Sequence, residues 1–188
     1  MKFAVTLKDL REKRACLAGY NRLVRSLQGR EFSEKDLSRE SYIRCSHAGL
    51  IPVEYILSSN GLDDALWSLR CVKDADRDLR LFAVWCARQV QHLMNDERSI
   101  NALDVAERFA NGHASESERA AGAAAGAAAW AAGAAGAAGA AGAAGAAQAE
   151  MLIKMCRGEA PWQVGVSNEF QSDVQASAGG LTQTALEG

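Results

Sequence analysis

The chain has 188 residues, which is enough for one globular domain with an appendage. Its formal net charge of −2 is too small to indicate strong attraction to nucleic acid or to another highly charged partner. It has only two prolines and lacks strand-like runs of Val, Ile and Thr, which favours an all-α fold over a β-rich one.

The cysteines and the first residues predict a cytoplasmic protein. The five cysteines are an odd number, and no two of them form a C-x-x-C pair. This is not the pattern of a disulfide framework, so we expect reduced thiols that pack as small buried hydrophobic side chains. Met1–Leu10 also lacks the apolar segment of a secretion signal.

Two short helices are predicted at the start of the chain. Thr6 is a typical N-cap residue, and Asp9 three positions later completes the pattern of a capping box. A second helix is predicted from about Cys16 to Leu27, because its apolar residues fall on one face. Gly29 is placed to end that helix.

A connection and two further helices are predicted next. The polar residues 30–38 favour a connection without regular structure, and Ser41–His47 is predicted to form a short helix. Pro52 suits the first turn of the following helix, which Asn60-Gly61 is expected to end.

The middle of the chain has the clearest helical pattern. Leucines repeat at helical spacing over Leu62–Val72. Asp74, Asp76 and Asp78 then crowd the start of a longer helix, where negative charge is favourable. That helix is predicted to bury a single apolar stripe, which consists of Leu79, Phe82, Ala83, Cys86, Val90 and Leu93.

Two more helices are predicted after this one. Asp96-Glu97 begins a helix that Asn111-Gly112 is expected to end, so the middle of the chain is predicted to form an array of helical hairpins. Ser115 and Glu118 have the spacing of a capping box and predict the start of the last helix.

An unusual tract fills the last predicted helix. Between Ala120 and Ala147 the chain has twenty alanines and seven glycines. Each interior glycine costs a helix about 1 kcal/mol relative to alanine, so packing against the rest of the protein must hold this helix. A membrane span is disfavoured because Ala and Gly are weakly apolar, and a polyproline-like rod is disfavoured because the tract lacks proline.

These patterns divide the chain into four segments. The N-terminal short helices take residues 1–48, the hairpin core takes 49–112, and the long Ala/Gly-rich helix packed on that core takes 113–157. Residues 158–188 are rich in Gly, Ser and Gln and are predicted to be an irregular, flexible tail.

No pattern of a catalytic, cofactor or metal site occurs in the sequence. The three histidines are far apart, and none has a Cys, Asp or Glu at the spacing of metal ligands. The GAA repeats lack the Lys-Ser/Thr of a phosphate-binding loop. Acidic pairs such as Asp63-Asp64 fall at predicted helix starts, where capping explains them. We therefore predict a protein that is not an enzyme and needs no cofactor.

Four arginines of the first two predicted helices are candidate nucleic-acid-binding residues. They lie in a segment where Lys and Arg outnumber Asp and Glu, and Gly19 between two helical runs allows a helix-turn-helix interpretation. The overall charge is not that of a DNA-binding protein, so nucleic-acid binding is an alternative and not the leading hypothesis. The candidates are Arg11, Arg14, Arg22 and Arg25.

Several short motifs resemble a known family. They are W-C-A-R (Trp85–Arg88), D-E-R (Asp96–Arg98), a run that ends A-E-R-F-A-N-G (Ala102–Gly112) and an alanine-rich helix with an interspersed tryptophan (Trp130). Together they resemble the helical immunity-protein family found beside bacterial polymorphic toxins, over about residues 50–157. Leu57–Arg70 is similar to uncharacterised proteins of tailed bacteriophages and prophages. The resemblance implies no catalytic residue, and this chain has glycine where relatives interleave Arg, Asp and Trp among the alanines.

The leading functional hypothesis is an accessory protein of a phage or prophage. It would act without catalysis by binding an unidentified protein, and would neutralise a toxin or a host defence factor. The alternatives are nucleic-acid binding by the basic N-terminal helices and self-assembly into a homo-oligomer through the Ala/Gly-rich helix. We expect no membrane association in any of these cases.

Overall fold

The computed structural model describes residues 2–94, 96–120 and 141–164, and it confirms the predicted all-α fold. A short two-stranded sheet adds to the predicted elements. Residues 121–140 of the Ala/Gly tract and residues 165–188 of the predicted tail lie outside the described residues. The elements are β1 (Ala4–Val5), α1 (Leu7–Glu12), α2 (Leu17–Leu27), α3 (Glu34–Leu37), β2 (Ile51–Pro52), α4 (Val53–Asn60), α5 (Leu62–Ser68), α6 (Asp76–Gln89), α7 (Glu97–Ala110), α8 (Ala141–Arg157) and α9 (Pro161–Val164), with 3-10 helices at Leu69–Cys71 and Gln91–Leu93 and further helical residues at 116–120.

Local sequence signals set several helix ends at the predicted positions. At α1 the Asp9 N–H donates to Thr6 Oγ1 at 3.1 Å, and the Thr6 N–H donates to Asp9 Oδ2 at 3.0 Å, which is the predicted capping box. Ser115 and Glu118 exchange the same two hydrogen bonds before the helical residues that follow them. Gly29 follows α2 with a φ of +64°, a conformation that favours glycine.

The antiparallel sheet joins the N-terminal segment to the start of α4. Ala4 pairs with Pro52, and Val5 pairs with Ile51. Each strand has two residues, which are too few to produce an alternating pattern in the sequence. Because Val5 and Ile51 are both buried, the sheet fixes the N-terminal segment against the core.

The helix predicted over Ser41–His47 is wrong, because these residues form no helix. The side chain of Asn21, fully buried on α2, holds them in an irregular conformation. Its Nδ2 donates to the Ser41 carbonyl at 3.1 Å, and its Oδ1 accepts from the Ile43 N–H at 2.8 Å. A partner about twenty residues away along the chain therefore decides the conformation, and local helical propensity does not.

The connection predicted over residues 30–38 contains the four-residue helix α3. The Ser33 N–H and the Ser33 hydroxyl both donate to Asp36 Oδ2, at 3.1 Å and 2.8 Å. A helix of one turn is too short to show the 3.6-residue periodicity that predicts longer helices.

Residues from both halves of the described chain form one hydrophobic core. Helix α8 packs on α4 and on α6, and its Leu152 and Met155 are fully buried. They belong to the same buried cluster as Val24 of α2 and Val53 of α4. All four predicted segments thus share one core over the residues that the structure describes, since Ala160 of the predicted tail belongs to the same cluster.

Helix α6 is buried on two sides and not along the single stripe that was predicted. Ala83, predicted to be buried, is exposed, whereas Leu81 and Val84 are buried. Phe82 belongs to the main core, while Leu81 and Val84 lie outside that cluster, as does the buried Val105 of α7. Because α6 packs on α7 as well as on α8, it needs apolar residues on both sides.

The predicted irregular tail, residues 158–188, begins with ordered structure. Ala160 is fully buried, and α9 follows it and packs on α6. The indole N–H of Trp162 donates to Asp78 Oδ1 at 3.2 Å. This contact joins residues 84 positions apart, so no local pattern reveals it.

Replacing Asn21 with alanine should lower the free energy of unfolding by about 1–3 kcal/mol, because the buried N–H of Ile43 then loses its acceptor. Urea unfolding followed by circular dichroism measures this change. Asn101→Ala, at an exposed position of α7, is the matched control and should change the free energy by less than about 0.5 kcal/mol. Equal effects of the two substitutions would contradict the role given to Asn21.

Replacing Leu152 with alanine should lower the free energy of unfolding by about 2–5 kcal/mol, because it leaves a cavity in the shared core. Ile153→Ala changes the neighbouring, half-buried residue of α8 and should cost clearly less. The same urea titration compares the two variants. If Ile153→Ala were the more damaging, the face of α8 that packs on the core would be assigned wrongly.

Candidate functional site

A small cleft lies where α2, α4 and α5 meet, next to the end of α1. Its volume is about 50 Å³. Most of the wall is apolar and is formed by Leu10 of α1, Tyr20 and Leu23 of α2, Ile56 of α4 and Trp67 of α5. Leu10, Leu23 and Ile56 are also buried members of the main core, so this wall is as fixed as the core itself.

Two arginines hold the aromatic residues of the wall. Arg11 Nη1 donates to the Tyr20 hydroxyl at 2.6 Å, and its guanidinium carbon lies 5.7 Å from the centroid of that ring. The guanidinium carbon of Arg70 lies 4.5 Å from the Trp67 ring centroid, and Arg70 Nε donates to the Trp67 carbonyl at 3.0 Å. Cation–π contacts of this kind restrict the orientation of both rings.

The polar side of the cleft is formed by residues of three helices. Asn60 at the end of α4 donates through Nδ2 to the Gly19 carbonyl of α2 at 2.7 Å and to Asp64 Oδ2 of α5 at 2.8 Å. A Cβ atom at Gly19 would lie only 2.7 Å from that same carboxylate oxygen. Glycine therefore leaves the space that the Asp64 carboxylate occupies, and any other residue at position 19 would displace it.

Cys16 lies at the cleft and is exposed, contrary to the expectation of buried thiols. It is the N-cap residue of α2, where its Sγ accepts a hydrogen bond from the Gly19 N–H at 3.3 Å. All five cysteines lie in the described part of the chain and are free thiols, and Cys71 is buried as expected. Burial raises the pKa of the Cys86 thiol to about 11 and that of the Cys156 thiol to about 12.

The structure places the four candidate arginines in different surroundings. Arg25 forms an ion pair with Asp36 that is shielded from solvent. Its Nε and Nη2 donate to Asp36 Oδ1 at 3.0 Å and 2.6 Å. The side chain of Arg25 is 17% exposed, and that of Asp36 is 4% exposed. The hydrogen bonds to Asp36 raise the pKa of Arg25, and those from Arg25 hold the pKa of Asp36 well below its usual range.

The other three arginines are exposed. The Arg22 guanidinium carbon lies 5.0 Å from the Phe32 ring centroid, and Arg11 is bound to the cleft wall as described above. Arg14 follows α1 with a φ of +59°. The turn between α1 and α2 lies before Cys16, and Gly19 is inside α2, so the position of the turn differs from that in the helix-turn-helix interpretation.

The cleft was not predicted from the sequence, because its polar residues also serve local purposes. Asn60 and Asp64 occupy helix ends, where capping explains them without a site. The available signal is Gly19, a glycine within the first turn of an otherwise regular helix, which indicates a close approach by another group.

Neither a metal-binding group nor a membrane-spanning helix occurs among the described residues. Over residues 2–94, 96–120 and 141–164, no three or more His, Cys, Asp or Glu residues are grouped so as to hold a metal ion. No helix in these same ranges has the length and apolar character needed to cross a membrane.

Comparison of the chain with protein-family models, with curated proteins and with solved structures finds no match.

Acid should lower the free energy of unfolding, because it protonates Asp36. Because Arg25 lowers the pKa of Asp36 in the folded state, the ionised carboxylate adds stability that is complete above the unfolded Asp pKa of about 3.9. That stability is lost as the pH falls through the lower folded pKa. The difference in free energy of unfolding between the wild type and Asp36→Asn should therefore shrink between about pH 5 and about pH 2.

Urea unfolding at a series of pH values measures this difference. Asp63→Asn, at an exposed position of α5, is the control and should give a nearly constant difference from the wild type. A wild-type advantage over Asp36→Asn that stays constant with pH would show that the ion pair does not provide the effect.

Proposed function

We propose that the protein acts without catalysis and binds a partner protein at the cleft between α2, α4 and α5. The observation that carries the proposal is the size of the cleft. Sites for small-molecule substrates and cofactors commonly have volumes of about 300–1,000 Å³. A volume of about 50 Å³ is too small for such ligands but accommodates the end of one side chain.

The construction of the cleft supports the same proposal. Protein interfaces concentrate their binding energy in a few side chains that enter well-packed, preformed pockets. Here Asn60 joins all three helices through its hydrogen bonds to Gly19 and Asp64. The cleft thus needs little rearrangement on binding, which lowers the entropic cost of forming a complex.

The resemblance described above supports a class of partner. Immunity proteins bind and neutralise toxins, so a toxin or a host defence factor is the proposed target of this chain. The proposed setting is a phage or prophage in the bacterial cytoplasm. Nucleic-acid binding through the arginines and self-assembly stay predictions, because no contact of the described residues favours either of them over docking at the cleft.

Affinity capture of the full-length tagged protein from bacterial cells, at low and at high salt, identifies a candidate partner. The affinity of the purified partner is then measured for two variants of Cys16, which lies at the cleft. Cys16→Phe fills the cleft and should weaken binding by at least about tenfold, whereas Cys16→Ser keeps a capping acceptor for Gly19 and should bind within about twofold of the wild type.

Both variants must first show the circular dichroism spectrum of the wild type. A Cys16→Phe variant that binds the partner as tightly as Cys16→Ser would refute docking at the cleft. Recovery of nucleic acid alone, at low salt only, would favour the arginine hypothesis instead.

A further inference from the structure

Among the described residues, Asp64 lacks the ion pair that every other aspartate at least partly shielded from solvent forms. Each of the others has a Lys or Arg nitrogen within 3.7 Å of a carboxylate oxygen. Asp64 forms no ion pair with a described residue, and the donor that it has there is Asn60. The paired aspartates are Asp9 with Lys73, Asp36 with Arg25, Asp78 with Lys2 and Asp96 with Arg98.

The arginines beside the cleft do not supply the missing cation. Arg11 is directed to the Tyr20 hydroxyl, and Arg70 is directed to the Trp67 carbonyl. Neither is among the residues that line the cleft, whereas Asp64 is. The cleft therefore presents an acceptor between apolar walls, and its chemistry is complementary to a cation with a hydrocarbon stem.

The hydrogen bonds of Asp64 favour an ammonium group over a guanidinium group. Asp64 Oδ2 already accepts from Asn60, which leaves Oδ1 for a new donor. A guanidinium prefers to bind both oxygens of a carboxylate at once, while an ammonium is a compact group that can bind one. A buried water needs about 10–15 Å³, so a cleft of about 50 Å³ has room for an ammonium group and the adjoining methylene groups.

We propose that the partner protein inserts a lysine side chain into the cleft, so that its ammonium group donates to Asp64 Oδ1 and its methylene groups pack between Tyr20 and Trp67. This inference rests on the proposed function and names the element of the partner that the cleft binds. Asp64, Asn60 and Gly19 then act as one unit, since Asn60 orients the carboxylate and Gly19 gives it space.

n-Butylammonium is a probe of the lysine side chain that needs no knowledge of the partner. It is titrated into the ¹⁵N-labelled full-length protein, and the NMR signals of the Gly19 backbone amide and the Asn60 side-chain amide are followed. Butylammonium should shift both signals in a saturable manner. n-Butanol and butyrate have the same chain length without the positive charge and should bind at least about tenfold more weakly.

Two aspartates of the same helical turn provide matched variants. Asp64→Asn removes the charge at the cleft and should weaken butylammonium binding by about tenfold or more. Asp63→Asn removes a charge at the exposed neighbouring position and should leave the affinity within about twofold. Thermal unfolding confirms that both variants are folded, and the comparison of the three probes on the wild type does not depend on any variant.

Tighter binding of butanol or butyrate, or equal losses in the two variants, would overturn the assignment of lysine. The butylammonium titration and the partner-binding measurement on Cys16→Phe can fail independently of each other. If Cys16→Phe abolishes binding of the partner but butylammonium does not bind, the cleft is a docking site for a different side chain. If butylammonium binds as expected but Cys16→Phe leaves partner binding intact, docking at the cleft is refuted, and with it the insertion of a partner's lysine.

Discussion

A buried carboxylate on α6 holds the two ends of the described chain together. Asp78 is 4% exposed, and a buried carboxylate is strongly unfavourable unless donors surround it. Lys2 Nζ donates to it at 2.5 Å from one end, and Trp162 Nε1 donates at 3.2 Å from the other. Both ends are therefore fixed on α6, and the core that forms between them supplies the apolar wall of the cleft.

The cleft combines a rigid apolar wall with the carboxylate of Asp64, whose Oδ1 accepts no hydrogen bond from a described residue. Its wall shares residues with the core, and its polar side is held by hydrogen bonds that connect α2, α4 and α5. In the proposed docking, the partner's side chain must be narrow enough for the cleft and must also satisfy Asp64, so both shape and charge would select it. These two requirements favour the proposed docking of a single side chain over the binding of a small-molecule substrate.

The sequence predicted those features that depend on neighbours along the chain. The capping boxes at Thr6 and Ser115 were correct, because each needs only residues three positions apart. The conformation of residues 41–47 was not predicted, since it depends on the buried side chain of Asn21. The cleft was missed for the same reason: its polar residues meet only when three helices pack. The all-α class was predictable because periodicity within each longer helix reports it directly.

The shared core has a consequence for how the protein folds during synthesis. Helix α4 packs on α8, and about 100 residues lie between the end of α4 and the buried Ala160. At about 5–20 residues per second, a ribosome needs roughly 5–20 s to make that stretch. During this time the apolar faces of α2 and α4 lack Leu152 and Met155, which belong to the same buried cluster in the folded protein. Folding of this protein is therefore completed only after nearly all of its described residues have been synthesised.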